Sequence, residues 1–212
     1  MTNKIKSFYS LSSNNCSLVV DCRGYAPVIL YWGSRLANTT SPDMLALLAT
    51  SQELQASLPQ ETPIGLSPQS AAGFSGSPGV QLHRDGLQWA VYTRIESVSL
   101  IDNKLTIVSI CQGTQTQLIH CLALDHKTDV LAATTEIVNI GESSLWLDRC
   151  DAPCVPIPNH YSKILSFSGR WGNEFQLESI DRYMGAYVRE NRSGRTSHDS
   201  FPGVIVHPEQ TN

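Results

Sequence analysis

Apolar residues occur along this chain mainly in short runs bounded by turn-forming residues, a pattern typical of β-strands. The clearest runs cover residues 17–20, 28–32, 105–111, 117–124, 134–140 and 144–147. The segment 112–116, Gln-Gly-Thr-Gln-Thr, separates two of them and predicts a hairpin loop. Short strands at regular spacing, joined by such turns, predict an antiparallel β-sandwich.

One segment has a helical rather than an extended pattern. Ser41 is a suitable capping residue and Pro42 suits the first helical position. The apolar residues that follow form a stripe at helical spacing, namely Met44, Leu45, Leu47, Leu48 and Leu54. The pattern predicts one short helix near residues 42–56.

Residues 59–86 form the longest irregular stretch of the sequence. It contains four prolines and several glycines, at Pro59, Pro63, Pro68, Pro78, Gly65, Gly73, Gly76 and Gly79. A loop of this length in a compact domain is usually functional or mobile. Residues 59–86 are therefore a candidate location for site residues.

Composition and charge exclude several classes of protein. The 212-residue chain has a net charge of −4, so it lacks the basic surface of a nucleic-acid binder. No apolar run approaches the roughly 18 residues of a membrane span, and the N-terminus lacks an apolar signal region. We expect a cytoplasmic protein that does not bind membranes.

The six cysteines fit that location as scattered free thiols. Cys16, Cys22, Cys111 and Cys121 lie in or beside apolar runs and are expected to be small core residues. Cys150 and Cys154 form the only close pair, and no second pair or histidine stands at a matched spacing. The sequence therefore predicts neither a metal site nor a cofactor.

Residues 167–176 and 190–203 are dense in Arg, Asn, His and aromatic side chains. The consecutive Ser197, His198 and Asp199 cannot form a catalytic relay, because adjacent side chains do not point at one another. Nothing in the spacing pairs two carboxylates, whereas the nearby arginines suit bidentate pairing with them. The cluster predicts a loop-rich interface, and a binding role of its own stays open.

The residues beside a tryptophan in the sequence predict whether it is buried or at the surface. Trp32 and Trp146 lie inside apolar runs and are expected in the core. Trp171, between Arg170 and Gly172, is expected to face another surface.

Several stretches together resemble the N-terminal domain of the family 36 glycoside hydrolases, the α-galactosidases. They are residues 27–36 with Tyr31-Trp32-Gly33, residues 63–86, residues 136–141 followed by 145–149, residues 168–171, and residues 190–199. The similarity runs in the expected order from about Val28 to Val206 and covers most of the chain.

The resemblance implies a mostly β fold, an antiparallel β-supersandwich over residues 1–206. Residues 207–212 would begin a linker to a TIM-like catalytic barrel that is absent here. It also implies hydrolysis of terminal α-linked galactose with retention, by two aspartates of which one lies in a Lys-Trp-Asp motif. No tryptophan of this chain is followed by Asp, so no catalytic residue is placed here and the chain alone is expected to be inactive.

The same resemblance implies partners and site residues. The domain would pack on the barrel of its own enzyme and support a homo-oligomer, in which a loop reaches the active-site rim and the α-galactoside. Other branches carry Gly-Asp-Phe-Arg in that loop, where this chain has Gly73-Phe-Ser-Gly76. The substrate-rim candidates are Phe74, His83, Arg84 and Asp85, and the domain-interface candidates are Arg170, Trp171, Glu174, Arg192, Arg195 and His198. The alternative is a free-standing carbohydrate-binding or interaction module.

Overall fold

The computed structural model describes residues 5–50, 62–183, 185–192, 194–195 and 201–208. The chain folds into two compact units, Met1–Val155 and Pro156–Asn212. Both units are built mainly of antiparallel strands, which confirms the predicted fold class. Among the helices of the described ranges, none has the length and apolar character that crossing a bilayer requires.

The described residues of the first unit form three antiparallel sheets. β1 (Phe8–Ser12), β2 (Cys16–Asp21) and β3 (Val28–Ser34) form one sheet in that order. β5 (Arg94–Ile101), β6 (Lys104–Cys111), β7 (Thr116–Leu124) and β8 (Leu131–Asn139) form the second, a meander. β4 (Val80–His83) and β9 (Trp146–Cys150) form the third. The predicted hairpin loop after Cys111 is confirmed.

The main core lies between the first two sheets, as in a sandwich. Along β6 and β7 every second side chain is buried, so each strand turns one face inward. Leu105, Ile107 and Leu122 from the four-stranded sheet pack with Leu11 and Leu18 from the three-stranded sheet. Because burial of large aliphatic side chains is the main stabilising contribution to folding, this layer fixes how the two sheets pack.

A second, smaller cluster lies beneath β4. Val80 and Leu82 pack with Val91 and with Leu118 of β7. The expectation that residues 59–86 form one irregular stretch is therefore wrong for Val80–His83, which pair with β9. Four residues of alternating burial were too few to stand out beside the prolines and glycines.

The predicted helix is confirmed as α1 (Pro42–Leu48), but it ends earlier than residue 56, because Ala49 is its C-cap and Thr50 is not helical; residues 51–56 lie outside the described residues. Ser41 Oγ accepts from the backbone N–H of Met44, and Pro42 occupies the first turn, as predicted. Of the apolar stripe, Leu45 is buried, whereas Met44, Leu47 and Leu48 are exposed. The helical spacing of the apolar residues predicted the helix, but it did not show which of these residues are buried.

The second unit contains one three-stranded sheet in the order β11-β10-β12. The strands are β10 (Tyr161–Arg170), β11 (Asn173–Asp181) and β12 (Ile205–Pro208), all antiparallel to their neighbours. The register places Phe167 opposite Leu177 and Leu165 opposite Ile205 on one face of the sheet. Ser166 lies opposite Glu178 on the other face. The sheet thus has an apolar and a partly polar side.

The expected core positions of two tryptophans are wrong. Trp32 is 39% exposed and Trp146 is 59% exposed. Trp32 lies on β3, an edge strand, and Trp146 lies on β9, whose residues are all exposed. An apolar run marks a strand, but it does not say whether anything packs on that strand.

Candidate functional site

Arg84 follows β4 directly and is buried, which differs from the accessible rim residue that the sequence led us to expect. Its Nε donates to the carbonyl of Thr114 at 3.0 Å, and its Nη2 donates to the carbonyl of Gln115 at 3.2 Å. Nη1 donates to the carbonyl of Ser143. A buried guanidinium needs such acceptors to offset its desolvation. Arg84 therefore joins the end of β4 to the β6–β7 hairpin and to the loop before β9.

His83, the last residue of β4, lies half-buried beside β9. Its ring stacks on Trp146, with centroids 6.2 Å apart and planes 17° from parallel. The N–H of Gly86 donates to Nδ1 at 3.0 Å, which leaves Nε2 as the protonated nitrogen of the neutral ring. Nε2 lies 3.8 Å from Oδ2 of Asp148, on β9. The pairing of β4 with β9 brings these residues together.

An open cleft of about 370 Å³ lies along this edge of the first unit. Its lining includes the exposed side chains of Gln81, Trp89 and Asp148, together with His83. Gln69 forms a fixed part of the wall, because it donates to Thr93 Oγ1 at 2.7 Å and accepts from the Thr93 N–H at 2.8 Å. The cleft combines an indole with polar groups of both hydrogen-bonding types.

The other two rim candidates do not line this cleft. Phe74 is half-buried, and its ring lies over Gly76, where an added Cβ would come within 2.7 Å of the ring. Asp85 is exposed with a positive φ of 48° in the turn after Arg84. Of the four candidates, His83 alone belongs to the cleft.

The second unit presents an aromatic face, which we define as Leu165, Phe167, Phe175, Leu177, Phe201 and Ile205. The rings of Phe167 and Phe201 meet edge to face with centroids 5.7 Å apart, and Phe175 lies 6.0 Å from Phe201. Phe175, Leu177 and Ile205 are each more than half exposed. A cluster of this kind in contact with water is typical of a surface that binds another protein.

The opposite face carries a polar network around Arg189. Its Nη1 donates to Ser166 Oγ at 2.7 Å and its Nη2 donates to the carbonyl of Phe167 at 3.0 Å. Glu178 Oε2 lies 3.4 Å from Nη1. Hydrogen bonds from the Ser166 hydroxyl and from Arg189 lower the pKa of Tyr187, although burial opposes the shift. Arg189 thereby fastens the segment after β11 to β10.

The predicted interface residues lie at the surface of this unit. Arg170 ends β10, and Trp171 and Gly172 form the turn to β11. Trp171 is 86% exposed, and Glu174 Oε1 accepts from the N–H of Gly172 at 3.0 Å. Arg192 is exposed and pairs with Glu190 at 2.7 Å, and Arg195 is also exposed. His198 lies outside the described residues. The exposure of Trp171 is compatible with the expectation that it faces another surface, which stays a prediction.

The sequence did not separate Arg189 from the other arginines or Trp89 from the other tryptophans, and it gave no role to Asp148. Arg189 was one of several arginines among carboxylates, and nothing in its spacing set it apart. Asp148 lies far from His83 in sequence, and only the register of β4 and β9 brings them together. In the described parts of the chain, no three His, Cys, Asp or Glu residues are grouped as metal ligands.

Comparison with known proteins agrees with the β architecture. The model of the family described as "Glycosyl hydrolase family 36 N-terminal domain" matches residues 25–212. An α-galactosidase from Escherichia coli is 31% identical over 202 residues, which are 95% of this chain and 28% of that protein.

Solved structures show the same fold. The galactosidase domain of the α-galactosidase–sucrose kinase AgaSK aligns with a TM-score of 0.82 at 16% identity, over 100% of this chain and 33% of that one. The GH36 α-galactosidase AgaA of Geobacillus stearothermophilus, in complex with raffinose, aligns at 0.78 and 17% identity over 94% of this chain and 31% of that one. The chain thus spans about a third or less of these relatives. Since the family model covers most of it, the chain belongs to the glycosyl hydrolase family 36 N-terminal domains.

Proposed function

We propose that this chain is the non-catalytic N-terminal domain of an α-galactosidase that hydrolyses terminal α-linked galactose from oligosaccharides with retention. Membership of the family 36 N-terminal domains is the observation that carries the proposal. The relatives are α-galactosidases in which the matched region is a minor part. AgaA in complex with raffinose and with stachyose supports oligosaccharides of that kind as the substrate class.

The chemistry of the described carboxylates supports a non-catalytic role. Retaining glycosidases need two carboxyl groups about 5–5.5 Å apart, one of them free to attack the sugar. Glu178 accepts hydrogen bonds from Ser168 and Arg189, and Glu190 pairs with Arg192. These side chains serve the structure of the second unit. In this proposal, hydrolysis depends on aspartates of a catalytic domain, as the family resemblance implies.

The aromatic face is the surface that we expect a catalytic domain to cover. Covering its exposed rings would stabilise the contact by about 25 cal/mol for each Å² of apolar surface removed from water. The same unit also exposes Trp171, Arg170, Arg192 and Arg195, and Trp and Arg are residue types typical of interface hot spots. The proposal has three further parts. They are contact of this face with a barrel, assembly of the whole enzyme into a homo-oligomer, and a role at the active-site rim for Phe74, His83 and Asp85. A cytoplasmic location is another part, supported by six unpaired cysteines.

Co-purification tests the proposal. The E. coli relative would be truncated to remove the region that this chain matches. The truncated relative and this chain would then be co-expressed as two separate polypeptides. The relative's own N-terminal region, supplied in the same way, is the positive control. We expect this chain to co-purify with the catalytic portion, and Trp171→Asp to weaken that association. If the control associates and this chain does not, the proposal is wrong, and a monomeric chain would favour the free-standing module.

A further inference from the structure

The cleft beside β4 carries an exposed indole, Trp89, and a donor–acceptor pair, His83 and Asp148, of which only His83 already has a proposed role, at the active-site rim. We propose that the cleft is a binding site for a hexopyranose ring, presented as a free sugar or as one unit of an oligosaccharide. Every residue involved lies in the first unit, so the inference does not depend on whether the second unit docks a catalytic domain.

Trp89 supplies the aromatic surface of the site. It lines the cleft and is 64% exposed, so a face of its indole is open to a ligand. The face of an aromatic ring is electron-rich, whereas the C–H groups on one side of a pyranose carry a partial positive charge. Stacking of the two surfaces would bury apolar area while the sugar hydroxyls stay at the edges of the ring.

His83 and Asp148 supply a hydroxyl-binding pair. Their Nε2 to Oδ2 separation of 3.8 Å is too long for a direct hydrogen bond. A hydroxyl oxygen about 2.8 Å from each atom can accept from Nε2–H and donate to the carboxylate. A sugar hydroxyl performs both roles, and its neighbour on the ring can reach the second carboxylate oxygen.

A cationic side chain would fit the same cleft less well. Lys and Arg could lie over the indole and pair with Asp148. Both side chains only donate hydrogen bonds, so the Nε2–H of His83 would face a second donor. The pairing of a donor with an acceptor favours a hydroxylated ligand over a cation.

Two parts of the site, His83 and Gln69, are held in place before any ligand arrives. Trp146 stacks on one side of His83, and the N–H of Gly86 fixes its tautomer. Reciprocal bonds between Gln69 and Thr93 fix the adjacent wall. Rigid groups lose little conformational entropy on binding, so a free hexose is expected to bind with a dissociation constant on the order of 1 mM.

Two-dimensional NMR of the indole N–H groups of the 212-residue chain tests the inference. D-galactose, D-glucose and N-acetylarginine amide would be titrated separately, and the four tryptophans provide the signals. We expect a saturable shift of the Trp89 signal with at least one hexose and none at Trp171. Trp89→Ala and Asp148→Asn should each weaken binding at least about tenfold. Trp171→Ala should leave the affinity unchanged, and it serves as the matched exposed-tryptophan control.

Three results would overturn the inference. The first is that neither sugar produces a saturable shift. The second is that both cleft variants bind sugar as tightly as the unsubstituted chain. The third is that only the arginine derivative binds saturably. Spectral dispersion of each variant would show that it is folded, and Asp148→Asn keeps the shape of the side chain. None of these results bears on the co-purification experiment, so the two proposals fail separately.

Discussion

Ser67 Oγ and His120 Nε2 form a 2.8 Å hydrogen bond in the interior of the first unit. Both residues are buried, and His120 lies on β7 between Leu118 of the smaller apolar cluster and Leu122 of the main core. Nδ1 of His120 is buried without a hydrogen-bond partner among the described residues. A charge on this ring would therefore be poorly compensated, and burial lowers the pKa of His120 from 6.5 to about 4.

This shift predicts an acid-sensitive first unit. Because the folded-state pKa is lower than the unfolded one, the unfolded chain binds more protons between pH 6.5 and about 4. Stability is thus fully present above pH 6.5 and is lost as the pH falls toward 4. At about 1.4 kcal/mol per pH unit, the loss is on the order of 3 kcal/mol.

Urea unfolding at several pH values between 7.5 and 4 would measure this loss. His120→Gln should flatten the pH dependence, whereas His126→Gln, at an exposed position, should leave it unchanged. An equally steep dependence in His120→Gln would show that other groups cause the acid sensitivity.

The Arg189 network predicts a local loss of stability in the second unit. Arg189→Met removes the donors to Ser166 Oγ and the carbonyl of Phe167 and leaves Ser166 with fewer partners. We expect a cost of about 2 kcal/mol, visible as faster hydrogen exchange of the β10 amides. Arg192→Met removes a fully exposed pair and is expected to change exchange too little to measure. Equal effects of the two substitutions would contradict the network.

The aromatic face predicts that the chain alone binds hydrophobic dyes and self-associates more than a typical monomer. Trp171, in the β10–β11 turn, adds an 86% exposed indole to the apolar surface of the same unit, so Trp171→Asp should reduce both effects without unfolding the sheet. Leu87→Asp is the matched control, since it places the same charge on an exposed apolar residue of the first unit. Dye fluorescence and sedimentation velocity measure the outcomes. Loss of the folded state in Trp171→Asp would place Trp171 in the core instead.

The cysteines predict two classes of thiol reactivity. Cys150 and Cys154 are exposed and should react with a thiol reagent in the native protein. Cys22 and Cys111 are buried, and burial raises the pKa of Cys22 to about 12, with the Asp21 carboxylate adding to the shift. These two should react only on unfolding, and all six thiols should titrate in the denatured, unreduced protein. Fewer than six would indicate a disulfide and oppose a cytoplasmic location.

Among the strands that the sequence predicted, those at the centre of a sheet had the clearest pattern. β6 and β7 lie inside the four-stranded sheet, and their alternating apolar residues made them evident. β5 lies at the edge of the same sheet and contains Glu96, Ser97 and Ser99, so its polar sequence gave no strand signal. Strands exposed on one face need few apolar residues. For this reason the sequence did not predict β1, β10, β11 or β12.

The cleft could not be predicted from the sequence, since it depends on long-range pairing. His83 lay within a stretch that was interpreted as a loop, while Asp148 followed a run expected in the core. Their approach follows from the pairing of β4 with β9, which buries only one side of β4. The family resemblance identified the domain correctly, but it carried no information on which side chains share this surface.

Hydrolysis of an aryl α-galactoside by the purified 212-residue chain tests the central claim most directly. The account predicts no turnover above the uncatalysed background, because the two aspartates of the retaining mechanism are not expected among these residues. The E. coli relative would serve as the active control under the same conditions. Turnover that co-elutes with the chain through successive columns, and that persists in a preparation from a host lacking α-galactosidase, would contradict the claim.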